Sequence, residues 1–187
     1  VIVDGTVYQA KADGFCRTVE ETVETPFACV TFFSPDSSED IDGGRIDEDF
    51  FSFLGRLIPS SNMLYAVRIE GRFEYLKTRS VPRQQNYRPL VEVARDQPVF
   101  EYTEIEGALI GFYTPAFMAS LNVPGYHLHF LTADRSRGGH LLDCRLGLVN
   151  IRLQHIPRLE LGLPLTFDYL SADLSRQTGG DLEEAER

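Results

Sequence analysis

The sequence is poor in the features that mark several large classes of protein. It has no tryptophan, and its three cysteines, Cys16, Cys29 and Cys144, include no closely spaced pair. That usage argues against a zinc ribbon or a redox motif and suits a reducing compartment, with thiols in structural roles. No apolar run reaches membrane-spanning length, and the first residues show no basic and apolar leader. We therefore expect no membrane partner and a cytoplasmic location. Secretion stays open because the natural N-terminus is not visible.

Basic residues are also scarce relative to acidic ones. The chain has 18 Lys and Arg against 28 Asp and Glu, a net charge of -10. A nucleic acid or an anionic membrane needs a basic surface, so neither is an expected partner. A small anionic substrate remains possible if a local arginine or a metal ion binds it. With 187 residues and 43% hydrophobic content, the chain can form one sizeable core or two small packed lobes.

Short apolar runs separated by turn residues predict an α+β fold that is mainly β. We expect two related, packed β-sheet lobes: residues 1–105 with one helix, and residues 106–187 with a metal site on a β-hairpin and a C-terminal tail. Asp4-Gly5 is a two-residue hairpin signal. The helix is predicted from Asp47, since apolar residues recur at helical spacing and Pro59 follows its end.

Other segments complete this secondary-structure prediction. The run 27–33 is apolar on both faces and is predicted to be a buried strand. The polar, acidic run 34–44 is predicted to be a solvated loop. Further strands are expected at 107–113, 148–153 and 159–161.

Three of the four histidines fall in one predicted hairpin. In Gly125-Tyr-His127-Leu-His129-Phe130, side chains two residues apart share a face, so His127 and His129 look one way. The polar stretch 132–139 ends in two glycines and predicts a turn that brings His140 back beside them. Three imidazoles can hold a zinc-like ion and leave coordination positions open, as in catalytic sites. The alternative is a set of half-buried polar histidines without a metal. His155 has no other histidine near it in the sequence and is predicted to be a structural residue.

A second informative segment runs from Tyr65 to Val81. Its apolar residues fall mostly on odd positions and are therefore predicted to face the core. Lys77 and Arg79 are also at odd positions and are predicted to face the same way. A guanidinium that faces a core needs an anionic partner. Three interpretations remain open: a pair with an internal carboxylate, a register slip at Gly71, or an arginine that binds an anionic ligand.

Taken together, these motifs resemble the bacterial α-acetolactate decarboxylases over nearly the whole chain. The motifs occur in this order: Asp4-Gly5, Thr25-Pro26-Phe27, Thr31-Phe32-Phe33, Pro59-Ser60, Asn62, Lys77-Thr78-Arg79, Thr114-Pro115, Gly125 to Phe130, Gly138-Gly139-His140 and Asp181-Leu182-Glu183. Each motif alone would be weak, but the ordered combination is highly specific.

The resemblance implies a zinc-dependent carboxy-lyase that converts 2-acetolactate to acetoin and CO2 through a metal-stabilised enediolate. Zn²⁺ would be held by His127, His129 and His140, and Arg79 matches the family's active-site arginine. The family's C-terminal segment folds over the metal and supplies a glutamate, which is best matched by Glu186, with Glu183 as second choice. The tail would otherwise be read as a solvated acidic end. The substrate class is a 2-hydroxy-3-keto acid, and a homodimer is expected.

The family pattern also places a further active-site glutamate upstream of Val1, with several dozen more N-terminal residues. The shorter chain could therefore lack full activity. Two rival functions remain. One is a cupin-like, metal-dependent oxygenase, for which Asp134 in the turn is the only nearby carboxylate; the other is a non-catalytic module that binds a metal and an anion.

Overall fold

The computed structural model describes residues 1–25, 27–81 and 97–173, and this part of the chain is built mainly from strands. Its strands β1 to β8 are Ile2–Val3, Thr6–Ala10, Cys16–Thr18, Ser37–Asp42, Leu64–Arg79, Val99–Thr114, Gly125–Thr132 and Gly138–Ile156. Its helices α1 and α2 are Phe50–Leu57 and Phe167–Ser171, and single 3-10 turns occur at Gly43–Arg45 and Ala116–Met118. The predicted mainly β architecture, with two sheets and few helices, is confirmed.

The smaller sheet has the antiparallel order β1-β2-β3. Its first turn is the predicted Asp4-Gly5 hairpin, in which Val3 pairs with Thr6. Asp4 and Gly5 have φ angles of 50° and 78°. Positive φ at both central residues is the requirement of a type I′ turn, and Asp-Gly is one of the sequences that meets it best.

The larger sheet has the order β4-β8-β5-β6-β7, and β7 also pairs with β8. That last pairing closes β5, β6, β7 and β8 into a ring. One face of the ring is apolar and forms the core, onto which α1 packs. The fully buried large side chains of this core include Tyr65, Val67, Ile69, Phe73, Leu76, Leu109, Leu128 and Phe130.

The predicted helix is α1. Asp49 caps its N-terminus, since the carboxylate accepts a hydrogen bond from the Ser52 backbone N–H at 3.0 Å. Phe50, Phe53 and Leu54 are buried in the core as the spacing predicted. Of the helices in the described residues, none is both long and apolar enough to span a bilayer.

The prediction of a buried strand at 27–33 was wrong. The described residues of this segment form no strand, and Phe32 is 99% exposed. The strand lies further along the chain, where β4 pairs with β8 in the stretch predicted to be a solvated loop. β4 lies at the end of the sheet order, and its side chains are polar and largely exposed. Apolar content was therefore a misleading guide to the position of the strand in this region.

The predicted strand at 159–161 is also absent from the structure: residues 157–166 have no regular secondary structure, and Leu159 and Leu161 are about half exposed. Alternating leucines indicate a strand only where a neighbouring strand is available to pair with them. The predicted boundary between residues 105 and 106 falls inside β6. Both predicted lobes contribute to the larger sheet, and the division itself stays a prediction.

The three cysteines carry free thiols. Cys144 is 3% exposed and belongs to the core. Burial raises the pKa of its thiol, which keeps the side chain protonated and unreactive at neutral pH. This is the behaviour expected of a structural thiol.

Candidate metal centre

The three predicted histidines lie on the hairpin of β7 and β8. His127 and His129 are two residues apart on β7 and therefore share a face of the sheet. His129 lies opposite His140 in the ladder between the two strands. The turn between them is closed by a hydrogen bond from the Thr132 backbone N–H to the Arg137 carbonyl, at 2.9 Å.

The imidazoles form a compact group. One ring nitrogen from each of His127, His129 and His140 lies within 4.8 Å of the others. The Nε2 atoms of His127 and His129 are 2.9 Å apart, and the two rings are stacked. All three side chains are partly buried. The structure thus confirms that this turn collects three possible metal ligands.

Electrostatics keep the His129 imidazole in the neutral form that can bind a cation. Burial is the main reason why the pKa of His129 lies well below its usual value, and the neighbouring His140 and His127 lower it further. At neutral pH the ring is therefore uncharged, and a neutral imidazole offers the lone pair that a metal needs. Arg79 contributes to the same lowering, which places its charge near the histidines.

Two glycines allow the backbone to approach closely around the site. A Cβ at Gly111 would lie 2.0 Å from the His127 carbonyl oxygen, and one at Gly139 would lie 2.6 Å from the Arg79 carbonyl oxygen. Neither distance is possible for a real side chain. Gly111 was not singled out from the sequence, although a glycine inside a strand pattern is the signal for a close backbone approach.

Arg79 is buried, with 8% exposure, but not in the predicted phase. Odd-numbered residues such as Ile69 and Phe73 face the core in the first part of β5, whereas Leu76 and Thr78 do so later. The ladder between β5 and β8 is irregular at three steps from Gly71 to Thr78. Because of these irregularities, the Arg79 side chain lies on the other face of the sheet from that of Thr78. In the ladder, Arg79 is directly opposite His140. The register does slip along β5, but the buried phase is still odd at Phe73 and changes between Phe73 and Leu76, beyond the predicted position at Gly71.

Lys77 shares this face of β5 but differs from Arg79 in its surroundings. Its ladder partners are Glu101 on β6 and Asp143 on β8. The Lys77 Nζ lies 3.8 Å from the Glu101 carboxylate, and its side chain is 36% exposed. Its charge is thus paired with the Glu101 carboxylate, outside the histidine group.

Asp134 is the carboxylate that an oxygenase site would need. Its hydrogen bonds are made to residues of the turn itself. It accepts hydrogen bonds from the Thr132 hydroxyl at 2.6 Å and from the Ser136 backbone N–H at 3.0 Å. These bonds lower the pKa of Asp134 to about 2. His155 also lies outside the group, and its backbone N–H and Nδ1 both contact the Asp36 carboxylate. Glu183 and Glu186 lie outside the described residues.

Comparison with known proteins agrees with this geometry. A family profile described as Alpha-acetolactate decarboxylase matches residues 1–176. A protein of that name from Methanosarcina mazei is 39% identical over 99% of this chain and 65% of its own length. One from Klebsiella aerogenes is 41% identical over 90% of this chain and, again, 65% of its own length.

A solved structure shows the same fold. The crystal structure of alpha-acetolactate decarboxylase from Bacillus subtilis strain 168 superposes with a TM-score of 0.91 at 35% identity. The match covers 98% of this chain and 79% of that one. The chain spans 65% of the first curated relative's length, slightly less than two thirds. The chain belongs to the alpha-acetolactate decarboxylase family.

Proposed function

We propose that this chain carries the reaction centre that converts 2-acetolactate to acetoin and CO2 with the help of a bound zinc ion. The observation that supports this most is the meeting of three imidazoles with one buried arginine. His127, His129 and His140 offer nitrogens within 4.8 Å of one another, and Arg79 lies opposite His140. This arrangement supports a divalent-cation site with a carboxylate-binding arginine beside it.

The residues fit zinc on the chemistry of their donors. Neutral imidazole nitrogen is a preferred zinc ligand, and the lowered pKa of His129 keeps that nitrogen unprotonated. Three protein ligands leave at least one coordination position for a substrate oxygen, which is typical of catalytic zinc sites. When bound, zinc supplies a Lewis acid that stabilises negative charge on the substrate's ketone oxygen.

Arg79 has the position to bind and orient the substrate carboxylate. Its guanidinium offers a planar fork that matches two carboxylate oxygens, and its burial limits screening by water. Held in this way, the bond from the carboxylate to the neighbouring carbon can break with loss of CO2. The electron pair of that bond moves toward the ketone and gives an enediolate, which then takes a proton on carbon.

The proton requires a positioned acid. From the family resemblance we assign this role to Glu186, with Glu183 as the second choice. The proposal has two versions: in one, this glutamate also binds the metal, and in the other it does not. A variant without the carboxylate would lose zinc in the first version and keep it in the second.

The proposal includes a homodimer in the cytoplasm. Its physical support is a series of exposed apolar side chains that a second copy could cover. The side chains near the end of the described residues are Leu159, Leu161, Leu163, Leu165, Phe167 and Leu170. Size-exclusion chromatography with multi-angle light scattering measures the molar mass in solution, which would be twice the chain mass for a dimer.

The experiment that tests the function is chiral detection of acetoin formed from racemic 2-acetolactate. Zinc-loaded protein is compared with protein stripped by a chelator and with the His129→Ala variant. We expect acetoin enriched in one enantiomer from the zinc-loaded protein, loss on stripping, recovery on zinc addition, and no recovery for the variant. The assay is run on this chain and, as a second protein, on a longer form that adds the N-terminal segment of the family pattern.

Each alternative has a distinct result. Oxygen consumption with iron in place of CO2 release would indicate an oxygenase. Zinc bound by the three histidines without acetoin from either protein would indicate a binding module and would overturn the decarboxylase proposal.

A further inference from the structure

The turn that joins the two metal-binding strands is held from outside by the smaller sheet. The Cys16 backbone N–H donates to the Ser136 carbonyl at 2.8 Å, and Phe15 forms an isolated β-bridge with Arg137. The Arg137 guanidinium also lies over the Phe15 ring, 4.3 Å from its centre. This turn joins the two strands on which His129 and His140 pair, so its position bears on the metal centre.

A second contact comes from the Asp4-Gly5 turn. The Asp4 carboxylate lies 3.1 Å from the Arg68 guanidinium on β5 through one oxygen, and 3.6 Å from the Arg135 guanidinium through the other. Arg135 also lies over the Tyr8 ring, at 5.9 Å. One carboxylate therefore ties the histidine turn to a strand of the closed ring.

The charges around Asp4 form an alternating series. Arg68 also contacts Glu70 at 2.6 Å, and Glu70 contacts Arg152 on β8. The side chains of Arg68, Glu70 and Arg152 are all less than one third exposed. These three members are partly desolvated and fix one another's geometry, so the network is harder to break than a single surface pair; Asp4 is its exposed end.

We infer that Asp4 is a positioning residue for the metal centre. By bridging Arg135 in the turn to Arg68 on β5, it holds the turn at the distance that lets His129 and His140 share one ion. The inference rests on the proposed function, in which the three histidines bind zinc. It predicts that removing the Asp4 charge weakens zinc binding without removing any ligand.

The variant Asp4→Asn tests the charge alone, since asparagine tolerates positive φ and keeps the turn. The chain offers a closely matched control in Glu104. This residue has a φ of 50°, as Asp4 does. Its side chain is 61% exposed and lies 3.0 Å from Arg72, whereas that of Asp4 is 64% exposed and lies 3.1 Å from Arg68. Glu104→Gln therefore removes a comparable charge from a comparable backbone position.

Zinc affinity is measured by competition with a chromophoric chelator, and ligand geometry by the visible spectrum of the cobalt-substituted protein. We expect Asp4→Asn to lower zinc affinity about tenfold, the lower limit for loss of a group that hydrogen-bonds a ligand directly, because Asp4 acts through the turn, and to change the cobalt spectrum. Glu104→Gln should change neither. Arg135→Gln should reproduce the Asp4→Asn effect, and the double variant should be no worse than either single variant.

Equal zinc affinity and equal cobalt spectra for Asp4→Asn and wild type would overturn the inference. So would additive losses in the Asp4 and Arg135 double variant, since these would mean independent actions. A wild-type protein that binds zinc no better than His129→Ala would instead refute the zinc centre itself. The two failures are therefore distinguishable.

Discussion

Arg79 on β5 and His140 on β8 lie directly opposite each other in the ladder between their strands. Residues paired in this way point to the same face, so the arginine and the imidazole are neighbours at one site. His140 in turn pairs with His129. The candidate metal ligands and the arginine that we propose binds the substrate are thus connected through the backbone of one sheet, and changes in either can be tested separately.

Replacing Arg79 should separate substrate binding from metal binding. Arg79→Gln removes the guanidinium fork, and we expect kcat/KM for 2-acetolactate to fall roughly 100-fold or more, the loss typical of a buried charge pair. Zinc content by elemental analysis should stay near that of wild type. Lys77→Gln on the same strand face is the control and should retain most activity, because the Lys77 charge already pairs with Glu101. A matching loss in both variants would contradict the role of Arg79.

The tail glutamates should differ in their effects. We expect Glu186→Gln to reduce acetoin formation strongly while zinc content stays nearly intact, since an acid that delivers a proton is not needed to hold the ion. Loss of zinc would instead identify Glu186 as a ligand. Glu183→Gln is the paired comparison. If it alone lost activity, the assignments of the two residues would have to be exchanged.

Asp134 should make stability depend on pH in the acid range. Hydrogen bonds from Thr132 and Ser136 lower the pKa of its carboxyl from 3.8 to about 2. Its contribution is therefore complete above the unfolded-state pKa and is lost as the pH falls toward about 2. Asp134→Asn should unfold at lower denaturant concentration than wild type at pH 7, and the gap should narrow below about pH 4. A gap that is constant with pH would show that the charge plays no part.

Gly139 should tolerate no side chain. A Cβ there would lie 2.6 Å from the Arg79 carbonyl oxygen and 3.0 Å from the Thr78 Cβ, so β5 and β8 would have to separate at the site. We expect Gly139→Ala to lower the free energy of unfolding by about 1 to 3 kcal/mol and to weaken zinc binding. Gly162→Ala is the control, because a Cβ at that position meets nothing within 4 Å. Denaturant unfolding of both variants measures the difference, and equal stability would disprove the contact.

The sequence predicted best what depends on local spacing. A period of two placed His127 and His129 on one face, and a glycine-containing turn returned His140 beside them. Helical spacing with a proline stop identified α1. These signals are contained within a few residues, so no knowledge of distant parts of the chain was needed.

What the sequence left open depends on partners far along the chain. The face on which Arg79 lies is set by ladder irregularities between β5 and β8, strands separated by two others in the sequence. The strand at Ser37–Asp42 exists because β8 offers it an edge, and its polar side chains gave no apolar signal. The exposed run at 27–33 has the opposite character, since it is apolar without pairing as a strand.

The position of β4 at the end of the sheet order also bears on how copies of the protein behave in concentrated solution. An unpaired strand edge is a template on which other chains can add by hydrogen bonding, and this is a common route to aggregation. Among the described strands, β4 pairs on one side only, with β8, and it carries Glu39, Asp40 and Asp42. Two such edges would repel each other, in a chain whose net charge is already -10. The acidic side chains of β4 thus disfavour edge-to-edge self-association through charge repulsion.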